Sequence, residues 1–409
     1  IIGQEVIPFK EQNINFEDLI GADQYPERVQ ASVIEIDTLG KGAINHVFST
    51  DRSEYGVDML KSSNDNITAL ANIDTYNQGE HDIAILKMNS QNKVLKSSSI
   101  LESGNQNPKC FDITSNGDMV IIGEILSTNY AGVDLFIHCY DKNLRRKWVN
   151  ELGGFGNDIA ADITLSVDEG FIIAGSTDSF GRGGTDGWVM KVDKYGKLVW
   201  TRSFGGKSLD QFSSINRTRS GDYILSGSTQ SRSSNEEMWV MKIDENGDDI
   251  WDKIHGSLDD DKATLVQEIA SGELILVGQT KSSIRDNGIN ILVAKLDSNG
   301  EQLWLTEIGG RGDKTVSSFC ILNEEQYGFI IIGESRMKGS QSKILMAKIN
   351  QRGKIIWERT YGGDYISHGR SVIDDGSNLV VMGNHDIDGN GNSEIIFFKT
   401  DYDGALLKN

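Results

Sequence analysis

The stretch from Lys191 to Gly206, KVDKYGKLVWTRSFGG, returns in recognisable form along the chain, and this repetition limits the fold more than any other feature. Taking the third residue of its Lys-Val-Asp triplet as a marker gives Asp37, Asn89, Asp141, Asp193, Asp244, Asp297, Asn350 and Asp401. A second marker, a small residue closing an apolar run, falls at Gly21, Ala71, Gly123, Gly175, Gly227, Gly278, Gly333 and Gly383. Both recur about every 52 residues, so the 409 residues divide into eight units of one array, expected to form a single domain over residues 1–409.

Within the unit 158–206 the pattern reads as four strands. Ile159 to Ser166 alternate loosely, Asp168-Glu169-Gly170 turns the chain, and Phe171 to Gly175 form a buried run. A loop of about ten residues leads to Trp188–Val192; a tight turn at Asp193-Lys194-Tyr195-Gly196 then returns the chain through Lys197–Phe204. Glycine recurs in that turn as Gly247, Gly300, Gly353 and Gly404, where the backbone needs positive φ. Leu144 and Asn92 replace it, so their turns are expected to be built differently.

Four antiparallel strands repeated radially make an all-β propeller, whose closure removes exposed sheet edges. The spacing predicts eight four-stranded blades; the alternative is seven blades preceded by an N-terminal strand pair. Trp148, Trp200, Trp251, Trp304 and Trp357 each follow their marker by the same interval and are expected to anchor blade to blade. Ile44, Lys96 and Lys408 stand at that position in the end units, where repeats meet a different neighbour.

Composition narrows the partners. Sixty acidic against forty basic residues give a charge of −20, a field that repels phosphate backbones, so no nucleic acid is expected. No apolar run reaches the roughly 18 residues of a membrane span, and none is expected to insert. Cys110, Cys139 and Cys320 lie far apart without metal-ligand spacing and read as small buried hydrophobes. The start at Ile1 fits a processed or trimmed precursor.

The pattern D-x-x-G-x-x-x-W, as in Asp193 to Trp200, Asp244 to Trp251 and Asp297 to Trp304, resembles the repeats of quinoprotein-like propellers. The fuller pattern from Trp200 to Asp210, with Gly170 to Thr177, is similar to tandem-repeat propellers of secreted and surface proteins of bacteria and archaea. The resemblance concerns scaffold residues and implies a fold rather than an activity. Its dehydrogenase branch, which uses pyrroloquinoline quinone, implies adjacent cysteines, a tryptophan under the cofactor and bound calcium. No two cysteines are adjacent here, and the periodic tryptophans are explained by the scaffold, so no organic cofactor is expected.

Candidate sites lie on the face where second-to-third-strand loops open, because those loops vary: residues 178–186, 230–237, 281–290, 335–343 and 385–394. The last offers Asp386, Asp388, Asn390, Asn392 and Glu394 at the spacing of half a calcium loop, making calcium the candidate cation. Phe397 stands where the bidentate acid belongs, which favours a polar turn instead. Asp158, Asp210, Asp260 and, one residue early, Asp313 close the Gly-Gly links and read as channel-mouth acids that accept from backbone amides, against an acidic ring that collects a cation. Asp82, Asp134, Asp186, Glu237 and Glu394, interrupted by Asn290 and Lys343, precede the third strands and read as local caps. Arg311-Gly312-Asp313 spells an adhesion tripeptide but falls within a link, and the six histidines form no metal triad.

Divergent loops on a repeated scaffold without a catalytic constellation lead to the expectation of a non-enzymatic, secreted or cell-surface monomer. It would bind a protein, peptide or glycan, outside the cell or in the periplasm. The alternatives are a hydrolase or lyase with acids at the central channel, assisted by calcium, and a structural spacer of a larger surface protein.

Overall fold

The computed structural model describes residues 54–62, 66–74, 81–89, 94–100, 105–126, 132–257, 259–281, 288–322, 328–362, 366–386 and 393–407, with three short strands at Ile14–Asn15, Gln30–Ile34 and Ile44–Ser49. It is a β-propeller of seven blades. Blades 1 to 6 are four-stranded antiparallel sheets over 54–100, 106–152, 158–204, 210–255, 261–308 and 313–361. Each runs outward from its first strand, which borders the central channel. Blade 7 takes three strands from the chain's end, Ser367–Asp374, Leu379–Asp386 and Ser393–Thr400.

The prediction of eight blades is therefore corrected to seven. Ile44–Ser49, the fourth strand of the first sequence unit, pairs antiparallel with Ser393–Thr400, placing His46 against Phe397 and Val47 against Ile396. It occupies the outer place in blade 7, and Gln30–Ile34 and Ile14–Asn15 extend the same sheet. After the last turn, Leu406 and Leu407 reach back against Thr400 and Lys399. The first and last sequence units thus contribute strands to one sheet, and counting them separately gives one blade too many.

Packing closes the same ring. Among the described residues, the buried apolar side chains form seven clusters, one between each pair of neighbouring blades. The strand Phe171–Thr177 is buried throughout because both of its faces are covered. Phe171 and Ile173 pack toward blade 2, while the alternate residues Ile172 and Ala174 pack toward blade 4. Between blades 7 and 1, Val380, Met382, Ile395 and Phe397 meet Met59, Ile67 and Ala69. The Asn384 side-chain oxygen accepts from the Gly56 amide at 2.9 Å across that seam.

The opening repeat now has a physical account. Asp193 accepts from the amides of Tyr195 and Lys197, both at 2.9 Å, and Gly196 takes φ 78°. Trp148 of blade 2 packs on that glycine and donates to the Lys194 carbonyl at 3.2 Å, so each tryptophan anchors to the next blade's turn. Trp304 and Trp357 do the same to Gln351 and Tyr402.

Leu144 departs from expectation: its turn is built like the others, with φ 63° and the same Asp141 bonds to Asn143 and Arg145. A left-handed conformation costs a side chain about 1–2 kcal/mol. Leu144 recovers part of this by packing against the blade 1–2 cluster. Glu169, at φ 66° on the surface, recovers none that way. Glu169→Asn is expected to raise stability by about 0.5–1 kcal/mol, because asparagine tolerates this conformation. Leu144→Gly should gain less. Urea denaturation of both variants checks the order.

Candidate active site in the central channel

Each first strand carries a bulge at the same place. In blade 3, Ala160 pairs with Gly175 and Asp162 with Ala174, leaving Ala161 unpaired. The bulge brings the Ile159 carbonyl so close to Gly175 that an added Cβ would collide with it, which explains the glycine marker. The residue after the bulge is Asp58, Cys110, Asp162, Ser214, Leu265, Ser318 or Ser371 in blades 1 to 7. This column stands at the channel edge, and three of its members are chemically active types.

Asp162 accepts from its own neighbour Ile163 at 2.9 Å and, across the blade boundary, from the Ile215 amide at 2.8 Å. Asp58 accepts from the Met59 amide at 2.7 Å and bonds the Ser371 hydroxyl of blade 7. Cys110 lies between them: its thiol hydrogen-bonds Asp162 and feels the charge of both acids. Two residues further along blade 2, Asp112 accepts from Ile113 at 2.7 Å and from Leu165 of blade 3 at 3.0 Å. These side chains bolt the inner strands together, yet each acid keeps part of its surface open.

Burial dominates their ionisation. It raises Asp162 from the usual 3.8 to about 7, with the charge of Asp58 pushing the same way against the backbone donors. Burial likewise raises Asp58 and Asp112 to about 6 each, with Asp112 adding to the shift at Asp58. Burial, then Asp162 and Asp58, push the Cys110 thiol well above its ordinary value, which removes it as a nucleophile at neutral pH. The column holds two carboxyls that burial keeps protonated well above the usual carboxylate range, a pattern suited to acid–base chemistry.

The link acids lie elsewhere. Asp158 accepts from Gly154 at 2.6 Å and Asp210 from Gly206 at 2.7 Å, each also bonding a threonine and a serine of the second strand's end. Register gives that place in blade 5 to Asp261, which bonds Ser257, and in blade 6 to the buried Lys314. Asp260 and Asp313 stand one residue earlier and accept from Glu236 at 3.2 Å and Ile289 at 3.1 Å in the preceding blade. In blade 7 the place is the buried Ser367, 2.7 Å from the half-buried His385, a contact that stands where the carboxylate–threonine bond does in blades 3 and 4. Of the third-strand set, Asp186 caps its loop by accepting from Arg182 at 2.7 Å.

Of the calcium-loop residues, Asp388, Asn390 and Asn392 lie outside the described residues. Asp386 pairs with Ser393 and Glu394 with His385, which puts the two acids on opposite faces of the sheet. Among the described residues no group of three or more His, Cys, Asp or Glu is arranged to hold a metal ion. No helix is long and apolar enough to cross a membrane.

No protein-family model and no curated protein matches the chain. Solved structures do. Puromycin hydrolase in complex with PGG matches with a TM-score of 0.54 at 10% identity, covering 87% of this chain and 53% of that one. A putative 6-phosphogluconolactonase from Bacteroides fragilis matches with a TM-score of 0.53 at 11% identity over 85% of this chain and 95% of that one. An acylaminoacyl peptidase bound to a peptidyl chloromethyl ketone matches with a TM-score of 0.50 at 12% identity over 86% and 53%. The chain spans about half the length of the hydrolase and the peptidase. At these identities the likeness is one of fold. The neighbours are named as hydrolase, peptidase and lactonase, which runs against the expectation of a non-enzymatic binder.

Proposed function

We propose that the protein is a hydrolase or lyase whose acid–base pair is Asp58 and Asp162, acting on a peptide or glycan that enters the channel from the loop face. The observation that carries this reading is the pair itself: two half-buried carboxyls held on either side of Cys110, raised to about 6 and about 7 and sensing one another. Near pH 6.5 the ionised Asp58 takes a proton from the attacking water or the substrate, while the protonated Asp162 delivers one to the leaving group. Asp112 accepts from the amides of Ile113 and Leu165 and ties the inner strands of blades 2 and 3 together.

Asp58→Asn is the clean probe. The amide oxygen can still accept from Met59, and its nitrogen can donate to Ser371, so the fold is kept. Asp162→Asn would turn a donor against a backbone N–H. Wild type and Asp58→Asn are to be compared on nitrophenyl esters, nitrophenyl glycosides, lactones and peptidyl nitroanilides. One class should be turned over with a bell-shaped pH profile centred near 6.5, its limbs belonging to the coupled pair. Asp58→Asn should lower kcat/KM about 10²–10⁴-fold. Equal turnover by the variant, or none in any class by the wild type, contradicts the reading.

A further inference from the structure

Arg370 is the bulge residue of blade 7, beside the Ser371 that bonds Asp58. The same position in blades 1 to 6 holds Val57, Lys109, Ala161, Ser213, Thr264 and Ser317. Lys109, the other cation of this column, is paired with Glu124 at 3.0 Å. Arg370 differs: its Nε is shut away from solvent and has no hydrogen-bond partner among the described residues. The acid whose charge it feels most, Glu334, is already bonded by His368 at 2.7 Å and by Ser342. Tyr55 of blade 1 is its other electrostatic neighbour. Asn384, opposite His368 in the register, has a fully buried Nδ2 donor that is also unmatched.

Among the described residues this guanidinium has no committed counter-ion, and a desolvated charge without one is costly. Arg370 keeps partial exposure, so a ligand meets it through its outer nitrogens.

We propose that Arg370 is an anion subsite that binds a carboxylate of the ligand, one residue along the strand from the Ser371–Asp58 contact. A carboxylate fits the planar fork of the guanidinium with two parallel hydrogen bonds and supplies the missing acceptors. Bound there, it holds the rest of the molecule on the Asp58 side of the channel. The role of this subsite in selecting substrate rests on the acid–base reading above, whereas the binding of a carboxylate does not.

Two carboxylate sources separate in one titration series. Calorimetry on the full chain compares N-acetyl dipeptides and glucuronic acid, each as free acid and as neutral amide. One free acid should bind at least about tenfold more tightly than its amide, the effect of a charged hydrogen-bond pair, and Arg370→Gln and Arg370→Met should abolish that difference. The member that responds names the source. Arg370→Met should also raise the ligand-free Tm, by about 1–3 °C, because it removes an uncompensated charge. A lowered Tm, or equal binding of acid and amide by the wild type, overturns the proposal by marking Arg370 as structural. Asp58→Asn should keep the acid preference. Acid binding without turnover of any substrate leaves the subsite standing and removes the acid–base reading instead.

Discussion

Phe397→Ala is expected to cost about 3–5 kcal/mol of folding stability, the range for truncating a large aromatic in a packed core. Phe397 is 1% exposed and sits in the cluster between blades 7 and 1, where Met382 and Ile395 meet Met59 and Ala69. That seam joins distant parts of the chain, so its energetics report on closure. In an open array Phe397 would lie at a bare sheet face, and truncation there would cost well under half as much. Trp239→Ala, in the cluster between blades 3 and 4, is the internal control and should cost a similar amount. Denaturant midpoints of the two variants test the point. A cost below about 1 kcal/mol for Phe397→Ala, with a full cost at Trp239, would contradict a ring closed by blade 7 packing on blade 1.

The second large effect is a loss of stability as pH rises through neutrality. Asp58, Asp112 and Asp162 have folded values of about 6, 6 and 7, above the 3.8 of an unfolded aspartate. Between those values the folded chain binds more protons than the unfolded chain, so stability falls as pH rises from about 4 to about 7. Each unit of difference is worth about 1.4 kcal/mol, and water in the channel screens part of it, which leaves a combined cost on the order of a few kcal/mol. The opposite set acts lower. Lys191 holds Asp168 down, Lys242 holds Asp222 down, and Lys399, 2.7 Å away, holds Asp375 down. Their contributions are present above the unfolded value and are lost as pH falls below about 4. Thermal unfolding should therefore peak near pH 5, with Tm at pH 8 lower by about 3–6 °C for a chain of this length. A Tm that climbs steadily from pH 5 to 8 would show that these acids ionise normally.

Much of the fold was legible because one turn and one anchor recur: Asp193, Gly196 and the tryptophan that packs on the next blade's glycine are each fixed by local geometry. The blade number was not, since periodicity counts units of chain and closure merges two of them. Ile44–Ser49 keeps the place of a fourth strand in its own unit and fills that place in the last one. Nothing in its residues tells which edge it will meet. The channel site escaped for a different reason. Asp58, Cys110 and Asp162 are spaced like the markers, but the column continues as serine and leucine, so no motif flags it. Reading residue differences down each repeated position would have found both this column and Arg370. The search of the variable loops could not, because the site lies in the innermost strands. Asp260 stands one place before the register position that Asp261 fills, and Asp313, already one residue early in its link by sequence, stands one place before Lys314.

The measurement that bears most directly on the acid–base account is a carboxyl-carbon NMR titration of the aspartate-labelled chain, with Asp58→Asn used to assign the Asp58 resonance. The account predicts carboxyls titrating near pH 6 and near pH 7, with the Asp162 transition moving to lower pH when Asp58 is neutralised, because the charge of Asp58 helps hold it up. A spectrum in which every aspartate titrates below about pH 5, or in which the neutral-range transition is indifferent to Asp58, would contradict it.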